Sequence, residues 1–207
     1  MPAMRFFIPM LTVVSLVAGI VPALAKDTLA PAKPEATKAS LPGPLATGDQ
    51  RLDNLFARLK QERNPEQARS IADEIREVFT ISGSATVDFL MDSASKAVND
   101  KRYGAALDFL DQVTLIAPDY AEGWNRRATI HYLLGNYPKA MSDSARVLAL
   151  KPNHIGALAG VAGMLQETDH DAQAVEAWQA YLAYYPADRE AQQQMIELMN
   201  KIAGQKT

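Results

Sequence analysis

Apolar residues recur with helical spacing along most of the chain. After residue 49, large apolar side chains fall at positions i, i+3, i+4 and i+7, namely Leu52, Leu55, Phe56 and Leu59. This spacing places them on one face of a helix. The alternation of apolar and polar residues that is typical of a strand is not convincing anywhere in the sequence. We therefore predict an all-α protein.

A second helix is predicted to begin after Asn64. This residue type caps helices, Pro65 suits the first helical position, and Glu66 places an acid in the first turn. Ser82 and Gly83 end the helix, and Ser84 is the expected cap of the next one. The predicted buried face of this second helix consists of Ala68, Ile71, Ala72, Ile75, Val78 and Phe79. The two helices make up a predicted N-terminal pair at residues 49–83.

The remainder of the chain repeats itself at a fixed offset of 34 residues. Four sets of equivalent positions, which we call columns, keep the same residue type at this period: Tyr103 and Tyr137; Ala94, Ala128 and Ala162; Ala106, Ala140 and Ala174; Pro118, Pro152 and Pro186. Alanine allows helices to approach closely where they cross, and proline ends one helical unit before the next. The predicted repeats are residues 87–120, 121–154 and 155–188.

The middle repeat resembles the tetratricopeptide repeat (TPR) family. The residues that carry the resemblance are Trp124, Ala128, Gly135, Tyr137, Ala140 and Pro152. The flanking repeats depart from the pattern, since Leu90 and Leu158 replace the tryptophan and Lys101 and Asp169 replace the turn glycine. The resemblance covers roughly residues 50–205. It implies a TPR-type helix-hairpin solenoid with a degenerate N-terminal helix pair and a C-terminal capping helix.

The two ends of the predicted solenoid differ from its repeats. Residues 49–82 are interpreted as a degenerate repeat because Ala72 lies 34 positions before Ala106, although no proline ends that segment. Residues 187–203 are predicted to form the capping helix. One polar face would close the apolar end of the stack. The layout also resembles small exported TPR proteins of alphaproteobacteria, which implies a periplasmic scaffold and no specific partner.

The first residues have the pattern of an export signal. Arg5 precedes an apolar stretch, and Val21 to Ala25 ends in the small residues that a signal peptidase accepts. We predict a signal peptide at residues 1–25, cleavage after Ala25 and a periplasmic protein. The alternative is an uncleaved inner-membrane anchor facing the periplasm, since the apolar run has about the 20 residues that span a bilayer. Residues 26–48 are rich in Pro and Ala and are predicted to be a disordered linker.

Composition excludes several classes of function. The net charge of −3 provides no basic field for a nucleic acid, and the absence of cysteine excludes thiolate metal sites and a cysteine nucleophile. His131 is predicted to be a packed residue at the edge of the core. His170 with Asp169 and Asp171 forms a poor metal-ligand set. We therefore expect no enzyme activity, no cofactor and no metal.

Candidate binding residues lie on the first helix of each repeat, which lines the concave surface in the TPR family. They are Asp92, Ser95, Asn125, Arg126, Thr129, Gly160 and Gly163. Asn125 and Arg126 occupy columns that grip carboxylates in some TPR domains. We favour an internal salt bridge for Arg126, with Asp92 or Asp88 of the neighbouring repeat, and expect Arg127 to pair with Asp108 or Asp111. Gly160 and Gly163 leave a smooth helix surface for either a partner backbone or an adjacent helix of the same protein.

The predicted function is a non-catalytic scaffold that binds an unidentified protein or peptide in a concave groove. The alternative is a self-assembling protein whose repeats pack on copies of themselves, so a homo-oligomer is also considered. Contact with a membrane is expected only through an uncleaved N-terminal segment.

Overall fold

The computed structural model describes residues 44–204, with side chains from residue 49 onward. Within this range the chain forms nine α-helices and no strand, which confirms the all-α prediction. None of the described helices is long and apolar enough to cross a bilayer. The predicted signal segment at residues 1–25 lies outside the described residues. The helices are α1 Pro44–Gln61, α2 Pro65–Phe79, α3 Ala85–Asn99, α4 Tyr103–Ile116, α5 Ala121–Leu133, α6 Tyr137–Leu150, α7 Ile155–Glu167, α8 Asp171–Leu182 and α9 Arg189–Gly204.

Three helix hairpins, α3–α4, α5–α6 and α7–α8, occupy the three repeat segments. Each hairpin turn places one residue in the left-handed region: Lys101 with φ 57°, Gly135 with φ 71° and Asp169 with φ 58°. In each turn the backbone N–H of the next residue donates to a carbonyl five positions back, as Asn136 does to His131. The turn geometry is therefore kept in all three hairpins, although only the middle one has glycine.

Small residues hold the hairpins close together. The alanines of the two repeating columns are all buried, and those on the second helices have no exposed surface at all. Gly123 shows how close the approach is, because a Cβ added there would lie 2.6 Å from Cγ1 of Val113 on the preceding hairpin. The recurring alanines are thus buried, as expected for positions where helices cross, and Gly123 permits the close approach of neighbouring hairpins.

The last helix, α9, closes the C-terminal end of the stack. The Asp188 side chain caps it by accepting hydrogen bonds from the backbone N–H groups of Glu190 and Ala191. At its other end, Lys201 Nζ donates to Asp169 and Asp171 at the turn between α7 and α8. The two acids that were considered as metal ligands therefore hold a lysine and anchor the capping helix.

The N-terminal helix pair begins earlier than its composition predicted. Helix α1 starts at Pro44, within the segment 26–48 that was predicted to be a linker. Proline at the start of a helix loses no hydrogen bond, so a proline-rich sequence is compatible with a helix beginning there. Helix α1 therefore starts before residue 49, and the rest of the predicted linker lies outside the described residues.

The N-terminal pair packs against the later repeats and not against the first one. The buried residues of α1 and α2 form one cluster with α7, α8 and the start of α9, including Ile155, Leu158, Tyr181, Tyr185 and Ala191. The apolar face of α3 belongs to a separate cluster with α4 and α5. The pair is thus a hairpin that packs across the later repeats.

Contacts to the loops between repeats fix the position of this hairpin. The Phe79 ring stacks on His154, which caps α7, and Phe56 packs edge-on against Tyr184 after α8. Tyr120, between α4 and α5, donates a hydrogen bond of 2.8 Å to the Thr80 carbonyl. The large aromatic side chains at these loops provide a broad apolar surface on which the six-residue buried face of α2 packs. The small alanines of the repeating columns do not provide such a surface.

Candidate functional site

The seven candidate binding residues all lie on α3, α5 and α7, the first helices of the three hairpins, and line three adjoining cavities. We call this surface the groove face, together with the residues of α9 that continue it. Ser95, Asn125, Arg126 and Thr129 line a cavity of about 350 Å³ between α3 and α5. Gly160 and Gly163, again with Asn125 and Thr129, line one of about 280 Å³ between α5 and α7. Asp92 lines a third, next to Arg126 and Tyr120.

Glu122 organises the middle of the groove face. Its carboxylate accepts hydrogen bonds from Asn125 Nδ2 at 2.9 Å and from Arg126 Nε at 3.0 Å. His154 Nε2 lies 3.4 Å from the same carboxylate. Asn125 and Arg126 thus do grip a carboxylate, as their columns suggested, but it is the carboxylate of their own helix.

The predicted pairing of Arg126 with Asp92 or Asp88 is wrong. Its NH1 group donates instead to Ser95 Oγ at 2.7 Å, and its Nε to Glu122. Glu122 stands four residues before Arg126 on α5, a spacing that brings the two side chains together without any contribution from tertiary packing. The guanidinium is therefore held by two partners within the chain.

Glu122 stays ionised in this setting. Burial would by itself raise its pKa, but the nearby His154 imidazole and the hydrogen bond and charge of Arg126 lower the pKa below its ordinary value. A charged Glu122 neutralises the cation beside it. The centre of the groove face consequently offers no free positive charge to an anionic ligand.

The glycines of α7 leave open space on the groove face. A Cβ added at Gly160 or Gly163 would meet no atom of the described chain within 4 Å. No adjacent helix among the described residues fills this position. The cavity floor around them consists of small side chains such as Ala128, Ala157 and Ala159.

A fourth cavity, of about 360 Å³, was missed by the sequence analysis. It continues the groove face between α7 and α9 and is lined by Trp178 and Tyr181 from α8 together with Glu167, Asp188 and Glu190. The Trp178 Nε1 atom is buried there without a hydrogen-bond partner in the described part of the chain. The repeat pattern gave no signal for this site, because α9 lies outside the repeats and contributes Glu190, Ala191 and Gln194 to the lining.

Arg127, next to Arg126, serves the fold and not the groove. Its guanidinium makes a two-pronged hydrogen bond to Asp143 on α6, at 2.8 and 2.7 Å, and a further one to Asp111 on α4. Its planar group also lies 4.6 Å from the centre of the Trp124 ring. The expected pairing with Asp108 or Asp111 is confirmed at Asp111, and Asp143 is an additional partner.

The comparisons with known proteins decide the family. No family model matches the chain. A TPR repeat-containing protein of Rhizobium etli is 52% identical over 158 residues, which cover 76% of this chain and 78% of that protein. The chain belongs to the TPR repeat-containing proteins. Its relative comes from an alphaproteobacterium, in agreement with the resemblance noted from the sequence.

Solved TPR structures share the fold at low sequence identity. The first TPR of Spaghetti (RPAP3), bound to the HSP90 peptide SRMEEVD, is similar with a TM-score of 0.55 and 18% identity over 58% of this chain and 95% of that one. The TPR2B domain of yeast Sti1, in a pHsp70 complex, gives a TM-score of 0.53 and 18% identity over 57% of this chain and 99% of that one. The predicted TPR-type solenoid is therefore confirmed, and at these identities the likeness concerns the fold alone.

Proposed function

We propose that this TPR protein is a non-catalytic scaffold that binds a peptide or a helix of a partner protein along the groove face. The observation that carries the proposal is the open space above Gly160 and Gly163, beside a floor of small apolar side chains. Ligand sites are concave and largely preformed, and this groove needs no rearrangement to accept a chain segment. The RPAP3 neighbour, bound to an HSP90 peptide, and the Sti1 neighbour, in a pHsp70 complex, add support for a peptide as the ligand.

The mode of binding is expected to be preorganisation by rigid helices. Hydrogen bonds between Glu122, Asn125, Arg126 and Ser95 already fix the side chains at the centre of the groove. A ligand that meets fixed side chains loses less entropy on binding than one that must order them. The same hydrogen bonds leave these groups occupied, so they shape the groove and do not act as a reactive set.

Filling the groove tests this proposal. We expect the double variant Gly160→Leu/Gly163→Leu to fold, since leucine is a good helix former and a Cβ at either position meets no neighbour. A random peptide library displayed on phage should yield peptides that bind the wild-type protein and not the filled variant. Gly104→Leu is the matched control, because Gly104 on α4 is equally unobstructed and lies away from the groove. Peptides that bind all three proteins equally would contradict the proposal.

Self-assembly remains a second candidate because the first repeat has an uncovered apolar face. Phe89 stands in the column of Gly123 and Ala157, which both pack against the preceding hairpin. Among the described residues no hairpin stacks on this face of the first repeat, and Phe89 is 67% exposed. If copies of the chain stack through this face, the mass measured by light scattering will rise with protein concentration and Phe89→Ser will abolish the rise. A constant monomer mass would exclude this candidate.

We further propose that the protein acts in the periplasm after cleavage at Ala25. Arg5, the apolar run after it and the Val21–Ala25 end support export. Sequencing the amino terminus of the protein from a periplasmic fraction should give Lys26 as the first residue. An intact leader that stays with the inner-membrane fraction would instead establish the anchored alternative.

A further inference from the structure

The charges of the groove face are strongly one-sided. Acidic residues lie at both of its ends: Asp88 and Asp92 on α3, and Glu167, Asp188 and Glu190 at the junction of α7 with α9. Of the described residues that line the four cavities, Arg126 is the one cation, and Glu122 already neutralises it. The groove therefore presents negative charge at two ends and a nearly uncharged floor between them.

Two of these carboxylates have no internal partner. Asp92 and Glu190 are exposed, and no hydrogen bond or ion pair to either side-chain carboxylate is found in the described part of the chain. Asp88, in contrast, accepts a hydrogen bond from Ser82, and Asp188 accepts one from Tyr181. An unpaired acid at each end is thus available to a ligand.

Glu167 is held in place at the rim of the groove. The hydroxyl groups of Tyr132 and Tyr137 both donate to its carboxylate, the latter at 2.7 Å. These hydrogen bonds lower the pKa of Glu167, so its charge persists at neutral pH. A carboxylate whose orientation is fixed by two donors still has lone pairs for an ammonium or guanidinium group.

The floor between the two acidic ends is apolar and shallow. Its lining consists mainly of small residues, among them Ala128, Ala157, Gly160 and Gly163, with Met164 beneath. Such a floor accepts a segment that lies close to the helices, and contact with it supplies affinity through burial of apolar surface. The acidic ends contribute less affinity each but steer the approach of opposite charge.

We infer that the ligand of this groove is a cationic peptide segment, with Lys or Arg side chains on both sides of a short apolar stretch. This inference rests on the proposed function and specifies its ligand. It also separates this chain from a receptor for acidic peptides. An anionic segment would meet unpaired carboxylates at both ends and an occupied guanidinium in the middle, and like charges in such positions oppose binding.

The peptide library described above tests the charge of the ligand directly. Peptides that bind the wild-type protein but not Gly160→Leu/Gly163→Leu are groove ligands by definition, and we expect them to be enriched in Lys and Arg. If the groove ligands are acidic or uncharged, the inference fails while the proposed function stands. If no peptide distinguishes the wild type from the filled variant, the proposed function fails and the inference with it.

A charge-matched pair of variants then tests the position of the charge. A labelled groove-binding peptide from the library is titrated by fluorescence anisotropy against Asp92→Asn/Glu190→Gln and against Asp108→Asn/Glu176→Gln. Both doubles remove two negative charges, but Asp108 and Glu176 are exposed on the second helices α4 and α8.

We expect the groove double to bind about tenfold more weakly at low ionic strength, with the difference shrinking as salt is added, and the control double to bind nearly as the wild type does. An equal loss in both doubles would assign the effect to net charge alone and overturn the inference. No loss in the groove double would overturn it as well.

Discussion

The Phe79 ring stacks on the His154 imidazole, with ring centroids 4.4 Å apart and an angle of 22° between the planes. This contact joins the end of α2 to the start of α7. Phe79 is buried among the residues that hold the N-terminal hairpin against the later repeats. We predict that Phe79→Ala lowers the free energy of unfolding by about 3–5 kcal/mol, the usual cost of deleting a buried phenylalanine. Urea denaturation followed by circular dichroism measures it.

Phe89→Ala is the matched control for this prediction. It removes the same side chain from an exposed position on α3 and should change stability by no more than about 0.5 kcal/mol. Hydrogen exchange adds a local readout, because a loosened hairpin should lose protection in α1 and α2 before the repeats do. Equal destabilisation by the two variants would show that the hairpin is not anchored through Phe79.

The sequence predicted which face of this hairpin is buried but not what covers it. All six residues predicted for the inner face of α2, from Ala68 to Phe79, are buried in the structure. Helical periodicity specifies a face because it depends on one element alone. The partner surface comes from Tyr181, Tyr185 and Ile155, which lie far along the chain. None of the recurring positions of the repeats indicates a contact of this kind.

Lys101 adopts the left-handed conformation that Gly135 adopts in the middle repeat. A side chain in this region costs roughly 1 kcal/mol or more through the clash of its Cβ with the backbone, and glycine avoids that clash. We predict that Lys101→Gly stabilises the protein by about 1 kcal/mol and raises the midpoint of thermal unfolding. Gly135→Ala should lower it by a similar amount. A fall in the midpoint with Lys101→Gly would contradict the prediction.

Arg127 and Asp143 form a buried ion pair that links the two helices of the middle repeat. The Asp143 side chain is 6% exposed, whereas Asp111, the second acid on Arg127, is 63% exposed. Removing one partner of a buried pair leaves the other charge without compensation and costs about 3–5 kcal/mol, against at most about 1 kcal/mol for an exposed pair. We predict that Asp143→Ala destabilises strongly and Asp111→Ala weakly, as measured by chemical denaturation. Comparable losses would show that the burial of Asp143 contributes little.

The sequence predicted which positions of the repeats form the candidate site, but it did not predict which side chains pair with each other there. The 34-residue period placed Ser95, Asn125 and Arg126 on one face because the first helices of the repeats align. The i,i+4 spacing on α5 is a signal for the pairing of Arg126 with Glu122, but spacing alone does not exclude Asp92 as the partner. The position of His154 beside the same carboxylate depends on tertiary packing. The site at the α7–α9 junction depends in the same way on how the capping helix docks.

His131 makes the stability of the protein depend on pH. The side chain is buried on α5, and its Nδ1 atom finds no hydrogen-bond partner in the described part of the chain. Burial disfavours the charged imidazolium and lowers the His131 pKa below 6.5, while the nearby Asp143 opposes this effect only in part. The unfolded chain, with an ordinary histidine, therefore binds the proton more readily than the folded protein does.

The sign of the effect follows from this difference in proton binding. As pH falls below about 6.5, the unfolded state takes up the proton first and the free energy of unfolding decreases, by no more than about 1.4 kcal/mol per pH unit for one group. We predict that the wild-type protein loses more stability between pH 7.5 and pH 5 than His131→Gln, which cannot be protonated. Urea denaturation at both pH values measures the two losses. A variant that loses as much stability as the wild type would show that His131 is not the residue that titrates.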